Sequence, residues 1–314
     1  MAKCIKTAVV KELHRSARKN FPRRHVILRS VDDLAQIDLI DMQLYSRFNS
    51  GYKYILVVIN AFTKYIWVEL LKTKNANDVT VAFEKILKKM KPICSNIQSY
   101  QGTEFYNKPF QNLLQKYGIN HYSTFSHKKA SIVERAIRSL KSKIWQEFHI
   151  RGSYKYLDFL PKIIENYNNT KHRTIGMKPK DVSLKHQKFL LNTVYNYENN
   201  WPSKKKKPKF RVGDKVRVSM YKNIFEKSYT ANYSTEIFTI HAVKRTNPIT
   251  YILRDYEDNI IKGGFYEFEL QRTKYPDTFL VEKIIKSKGN NVMVKWLGFV
   301  NSHNSWISRD DIIN

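Results

Sequence analysis

The sequence predicts an α/β core with a mixed five-stranded sheet flanked by helices, followed by two small β modules. Three β-rich segments run in succession at 35–42, 52–60 and 64–70. Helical and extended patterns then alternate to about residue 168, an order that requires helices layered on a sheet. Beyond residue 209 the pattern shortens into brief β segments separated by Gly and Asn turns.

Taken in order, residues 1–30 carry Arg15, Arg18, Lys19, Arg23 and Arg24 around Pro22 and read as a basic arm. The segment Tyr52–Asn60 is almost continuously apolar, as a strand buried on both faces would be, with turns at Gly51 and 61–64. A helix is expected over 76–91, opened by Asn77 or Asp78, with Val79, Ala82, Phe83, Ile86, Leu87 and Met90 on one face. A strand near 96–99, a helix near 108–117 and a strand at 119–123 follow. The long helix 131–148 repeats Ile132, Val133, Ala136, Ile137, Leu140, Ile144 and Phe148 at three and four, while Glu134, Arg138 and Lys141 share another face. A further helix at 154–168 precedes the turn at Thr174–Met177, which places the core at 31–182.

Residues 183–208 lose periodicity and read as a basic linker. The run Lys204–Lys207 within it suits a solvated linker, a nuclear import signal or a DNA contact. In 209–272 the segments Lys215–Ser219, Glu236–Ile240, Thr250–Arg254 and Ile260–Ile261 suggest a small closed barrel. The last module, 275–314, has strands at Phe279–Ile285 and Val292–Trp296 joined by a turn at Lys288–Asn291.

Composition narrows the partners. In 314 residues, 56 Lys and Arg face 27 Asp and Glu, a formal charge of +29 that concentrates polyanions at the surface. Nucleic acid is the leading partner and anionic membrane the weaker one. Cys4 and Cys94 form no Cys-x-x-Cys pattern, so neither a disulfide framework nor a thiolate zinc site is expected, and a reducing compartment fits. No apolar run reaches the roughly 20 residues of a membrane span. An intracellular, soluble protein is expected.

The chemistry centres on Asp38, a carboxylate in the middle of a strand, where burial without a partner is costly. Asp41, three residues on, faces the other side of the strand and cannot serve the same site. Taken alone, Asp38 also reads as a satisfied core acid, and Glu134 as a first-turn acid favoured by the helix dipole.

The segments Ile37–Met42, Val57–Tyr65, Gln101–Phe105 and Val133–Lys141 resemble the integrase core of retroviruses and related elements. The likeness is strongest to integrases of Polinton or Maverick transposons, where the basic Arg18–Arg24 arm, the Lys171–Gly176 turn and two β modules occur in this order. The resemblance implies a ribonuclease H-like fold and a DDE polynucleotidyl transferase, in which three carboxylates hold two Mg²⁺ (or Mn²⁺) ions about 3.5–4 Å apart. It assigns the first carboxylate to Asp38 and the third to Glu134, with Arg135, Arg138 and Lys141 suited to phosphate. It places Tyr100 where the second Asp belongs. A phenol, with an unperturbed pKa of about 10, is neutral near pH 7 and cannot replace a bridging carboxylate. Glu104 lies four positions on and is not expected to substitute, because catalytic geometry tolerates about 0.5 Å. Ala35, Asn60 and Ile137 stand where the family usually has Trp, often Asp and commonly Asn. His14 and His25 lack paired cysteines, so the family's zinc bundle is expected to be absent or upstream.

Phe210–Arg217, Phe225–Tyr229, Pro248–Asp255 and Gly264–Leu270 resemble the C-terminal barrel of these integrases, which implies DNA contact. Lys209, Arg211, Lys215, Arg217 and Lys222 suit phosphates; the alternative is a spacer whose aromatics are core. The tail is similar to a chromodomain, which implies a methyl-lysine cage of Phe279, Trp296 and Phe299, with Trp306 as the structural tryptophan; alternatively the aromatics are simply core. The resulting expectation is a nuclear, DNA-binding, transposon-derived integrase with impaired catalysis, oligomeric if active, and directed to a methylated histone tail. The alternatives are a working Mg²⁺-dependent integrase and a non-catalytic DNA or chromatin adaptor.

Overall fold

The structure is a computed structural model that describes residues 2–123, 130–196, 207–222, 226 and 229–312. It divides into a unit formed by Val26–Trp201 and a unit in which Met1–His25 joins Pro202–Asn314. The chain opens with helix α1 (Ala2–His14), where the sequence suggested only an arm. Its signal was short: Val9 and Leu13, four residues apart, are buried.

In the unit Val26–Trp201, β1 (Leu34–Asp41), β2 (Tyr54–Asn60) and β3 (Ile66–Leu71) form an antiparallel run. β4 (Asn96–Gln98) and β5 (Asn120–Tyr122) add on in parallel, giving the order β3-β2-β1-β4-β5. This is the mixed five-stranded sheet expected. Every residue of β2 is buried because both its faces are covered. Tyr54, Leu56 and Val58 pack with Val79, Phe83 and Ile86 of α2 (Ala76–Lys89). Ile55, Val57 and Ile59 pack with Val133, Ala136, Leu140 and Ile144 of the long helix, here numbered α4 (Ser131–Arg151). Between them α3 (Lys108–Lys116) is capped by Asn107, whose side chain accepts the Phe110 amide.

Helix boundaries follow local hydrogen bonds. α2 begins at residue 76 as expected, but its cap is Asn75 and not Asn77 or Asp78, because the Asn75 side chain accepts the Asp78 amide at 2.8 Å. α5 (Leu160–Asn169) begins later than expected because Asn49 clamps the preceding loop. The Asn49 side chain donates to Tyr154 O and accepts from the amides of Tyr156 and Leu157. The core also runs past residue 182, through α6 (Leu184–Thr193), whose Leu190 is buried. Tyr195 donates to Phe62 O beyond it. The segment assigned to a linker therefore begins as packed structure. Lys204–Lys206 lie outside the described residues, as do Phe225, Lys227 and Ser228 of the barrel-like segments.

In the other unit, β6 (Lys215–Val218), β7 (Phe238–Lys244), β8 (Thr250–Arg254), β9 (Phe265–Tyr266) and β10 (Leu270–Arg272) form an antiparallel sheet. Its order is β10-β6-β7-β8-β9 around Phe210, Val216, Ile240, Tyr251, Leu253 and Leu270. Among the described residues no pairing joins β9 to β10, so the sheet is open where a closed barrel was expected. Ile260 makes an isolated bridge to Arg254 instead of a strand. A three-stranded sheet follows, β11 (Val281–Lys288), β12 (Asn291–Trp296) and β13 (Ser305–Ser308). β13 has four residues and no alternation to announce it; pairing with β12 creates it.

Candidate active site

Strand alternation puts Gln36, Asp38 and Ile40 on the face of β1 that meets α4. Asp38 pairs with Val57 in mid-strand and is half-buried. Its Oδ1 accepts the Leu39 amide at 2.8 Å. Burial pushes its carboxyl up to about 6; the charges of Glu134 and Glu104 add to this, while the Leu39 amide and Lys141 oppose it. Asp41 is exposed, and its carboxylate accepts the Gln43 amide at 2.9 Å and the Gln43 side chain at 2.8 Å.

Gln36 is buried and holds two elements together. Its Oε1 accepts the amides of Ile132 and Val133 at 2.9 Å, while its Nε2 donates to Gln98 Oε1 at 2.8 Å. α4 has no side-chain cap of its own, so β1 supplies it. Sequence reasoning missed Gln36, although a polar residue two before Asp38 on the inward face was a signal.

The end of β4 is fixed by a chain of hydrogen bonds that runs from the buried Ser99 out to the exposed Gln111. Ser99 Oγ and His121 Nε2 share a hydrogen bond at 2.7 Å, and His121 Nδ1 meets Gln111 Nε2 at 2.8 Å. Burial pushes His121 down to about 4, so the ring is neutral near pH 7. Tyr100 follows, half-buried against the apolar cluster beneath α4. Its hydroxyl donates to Glu134 Oε1. Glu104 turns back over Gly102, where an added Cβ would lie 2.2 Å from its Oε1. Gly102 is therefore required for that carboxylate position.

Asp38, Tyr100 and Glu134 thus converge, and Glu104 is close enough to act on Asp38. The donor set does not fit a two-metal centre: position 100 offers a neutral phenol, and that phenol takes an oxygen of Glu134. Among the described residues, no three His, Cys, Asp or Glu side chains are grouped so as to hold a metal ion.

On α4, Arg135 and Arg138 are exposed and Lys141 is half-buried over Trp145. Lys64, which the sequence did not single out, is buried, with Nζ donating to Ala61 O at 2.5 Å. Burial lowers its ammonium to about 8, with the charge of Arg135 adding to the effect. His172 is pushed down to about 4 by burial and by Lys64 and Arg135.

In the other unit Lys209, Arg211 and Lys215 are exposed. Arg217 is not: it is 1% exposed, with Nη1 donating to Ser234 O and Thr235 O, and Glu12 lies 3.8 Å from its Nε. The expectation that it contacts phosphate is corrected, because α1 supplies Glu12 against it and the strand pattern gave no sign of that helix. Phe279, Trp296 and Phe299 do meet. Phe279 lies 6.1 Å from Trp296 at 66° and 6.0 Å from Phe299 at 75°, and each ring is partly exposed. Trp306 is 46% exposed, so it is not a core residue of its sheet.

The mixed sheet, with an acid at the centre of β1 and another in the first turn of α4, is the arrangement of an integrase core. The integrase core domain family matches residues 29–129. Transposon-derived protein F54H12.3 of Caenorhabditis elegans is 31% identical over 222 residues, 71% of this chain and 73% of that protein. The chain therefore belongs to the DDE integrase superfamily, among its transposon-derived members. A chain of the simian T-cell lymphotropic virus intasome, solved with PP2A regulatory subunit B56 gamma, shares the fold. It has a TM-score of 0.54 and 12% identity, covering 83% of this chain and 88% of that one. The HTLV-2 integrase catalytic core domain in complex with magnesium matches at a TM-score of 0.40 and 17% identity, over 48% of this chain and 95% of that one.

Proposed function

We propose that this protein binds DNA as a transposon-derived integrase whose metal-dependent strand transfer is blocked by the Tyr100–Glu134 pair. The observation that carries the reading is the Tyr100 hydroxyl donating to Glu134. A two-metal centre needs anionic oxygens at both positions, and here one is a phenol that occupies the other. Asp38 and Glu134 are the remaining catalytic and metal-binding positions, with Arg135, Arg138 and Lys141 beside them for phosphate. Lys209, Arg211 and Lys215 serve the same purpose in the second unit, supported by their exposure and the +29 formal charge. The reading also includes a nuclear location, Polinton or Maverick ancestry and a homo-oligomer in any active form.

The test is Mg²⁺- or Mn²⁺-dependent nicking and joining of plasmid DNA, alongside calorimetric Mn²⁺ titration, for the wild type and Tyr100→Asp. The wild type should bind DNA without cleaving it, and Tyr100→Asp should gain Mn²⁺ binding. Wild-type joining equal to that of Tyr100→Asp would sink the proposal.

A second reading, a non-catalytic chromatin adaptor, is favoured by the edge-on packing of Trp296 and Phe299 against Phe279, at 66° and 75°. Three partly exposed faces at these angles suit a quaternary ammonium, as a chromodomain presents to a methylated histone tail. Titration with trimethyl-lysine and unmodified lysine peptides separates a cage from plain core packing.

A further inference from the structure

The stretch 15–25 carries five cations, Arg15, Arg18, Lys19, Arg23 and Arg24, and no acidic residue. Left free, it would be a flexible polycation that must be ordered each time it binds. The structure holds it down at two points. Upstream, the last turn of α1 is bonded to the sheet of β6–β10 and its loops. Leu13 O accepts the amides of Asn232 and Tyr233, and Glu12 accepts Thr273 Oγ1 at 2.9 Å and the Lys274 amide at 3.1 Å. Downstream, Phe21 lies against Tyr266 and Phe268, each with ring centroids 5.6 Å away. The Arg24 amide donates to the Tyr266 hydroxyl at 3.0 Å.

These aromatics fix two of the cations. The Arg18 guanidinium sits 4.5 Å from the centroid of Phe268, and its Nε donates to Asn20 O at 2.9 Å. The Arg23 guanidinium sits 4.2 Å from the centroid of Phe21. A guanidinium over a ring face is attracted to the ring, while its in-plane N–H groups remain directed outward. Of the acids beside these rings in the chain, Glu269 accepts the Tyr266 amide, and Glu267 precedes Phe268.

We infer that residues 15–25 and the segment Tyr266–Phe268, where β9 ends and a short helical turn begins, form one preorganised surface for the phosphate backbone of duplex DNA, with Phe21 as its anchor. The inference rests on the DNA-binding reading above and adds where and how one contact is made. Paired guanidinium edges match phosphate oxygens bidentately and carry no base readout, so the surface reads backbone and not sequence. Anionic lipid is the lesser fit, because the one large apolar side chain of the stretch, Phe21, is turned onto the sheet.

The experiment is fluorescence anisotropy of the full chain with a mixed-sequence duplex over a range of salt, for the wild type, Phe21→Ala, Phe21→Tyr and the double variant Arg18→Gln/Arg23→Gln. Phe21→Ala removes no charge, yet it should weaken binding about tenfold by freeing the stretch, with Phe21→Tyr close to wild type. The double variant should weaken binding and reduce the salt slope by about 2, at roughly 0.9 for each phosphate no longer neutralised. If the double variant weakens binding while Phe21→Ala does not, the stretch acts as a free polycation and the inference is overturned. The inference also fails if neither has an effect, although DNA binding itself stands. Wild-type protein that binds no duplex, or binds only anionic vesicles, overturns both. If Phe21→Ala melts early, Tyr266→Phe takes its place, removing only the hydroxyl that accepts the Arg24 amide: weaker binding at unchanged charge supports the inference, and unchanged binding overturns it.

Discussion

Lys64 adopts a left-handed backbone conformation at φ 63°, with its side chain 6% exposed. Ala61 O and the face of Tyr195 receive the ammonium, while Arg135 adds like charge. Its pKa falls from 10.5 to about 8, so the folded state resists the charged form. Between about pH 8 and 10.5 the unfolded chain holds a proton that the folded chain has released, so this group makes stability rise with pH across that window. At pH 7 the charge costs up to roughly 3 kcal/mol, less about 1 kcal/mol returned by the hydrogen bond. Lys64→Met should therefore raise the urea midpoint at pH 7, and the gain over wild type should shrink above pH 8. A difference that stays constant from pH 7 to 10.5 would remove Lys64 as its cause. The proposed loss of chemistry likewise turns on a single side chain, Tyr100, whose hydroxyl engages Glu134.

Among the elements, the site depends on how α4 meets β1. The first turn of a helix exposes amides that need acceptors, and here Gln36 of the neighbouring strand provides one. Gln36→Leu fills similar volume but leaves the Ile132 and Val133 amides and Gln98 Oε1 without this partner. A loss of about 2–4 kcal/mol is expected from burying such groups unpaired, together with faster hydrogen exchange at Ile132 and Val133. A loss below about 0.5 kcal/mol would show that water replaces the cap. A helix start displaced by this variant would also move Glu134 relative to Asp38, which ties the element's stability to the site's geometry.

Across the molecule, the first and last segments of the chain belong to one unit. Glu12 of α1 is the acid beside the buried Arg217 and also accepts from Thr273 and Lys274. Removing one partner of a buried ion pair leaves the other charge uncompensated. Glu12→Gln should destabilise the unit by about 2–3 kcal/mol, below the usual range for buried pairs because the separation is 3.8 Å. Hydrogen–deuterium exchange should accelerate in β6–β10 and leave residues 26–196 unchanged. Equal acceleration in both would show that the units unfold together.

How much was legible depended on whether the cause was local. β1 to β5, α2 to α4 and the pairing of Asp38 with Glu134 were readable, because a two-faced strand and a three-four apolar repeat leave direct marks in sequence. Tyr100 stood out as a departure from the resembling motif, and in the folded chain its side chain meets Glu134. The Tyr100–Glu134 hydrogen bond, the Gln36 cap and the burial of Lys64 were not, since each needs residues distant in the chain to meet. Arg217 shows the reason most clearly. Its strand pattern suits an exposed cation, yet a helix more than two hundred positions earlier contributes Glu12 to its surroundings. Residue order alone was enough for the class of fold of the core. Which charges face solvent and which are held inside emerged only in the folded chain, because burial is set by packing partners that local periodicity does not encode.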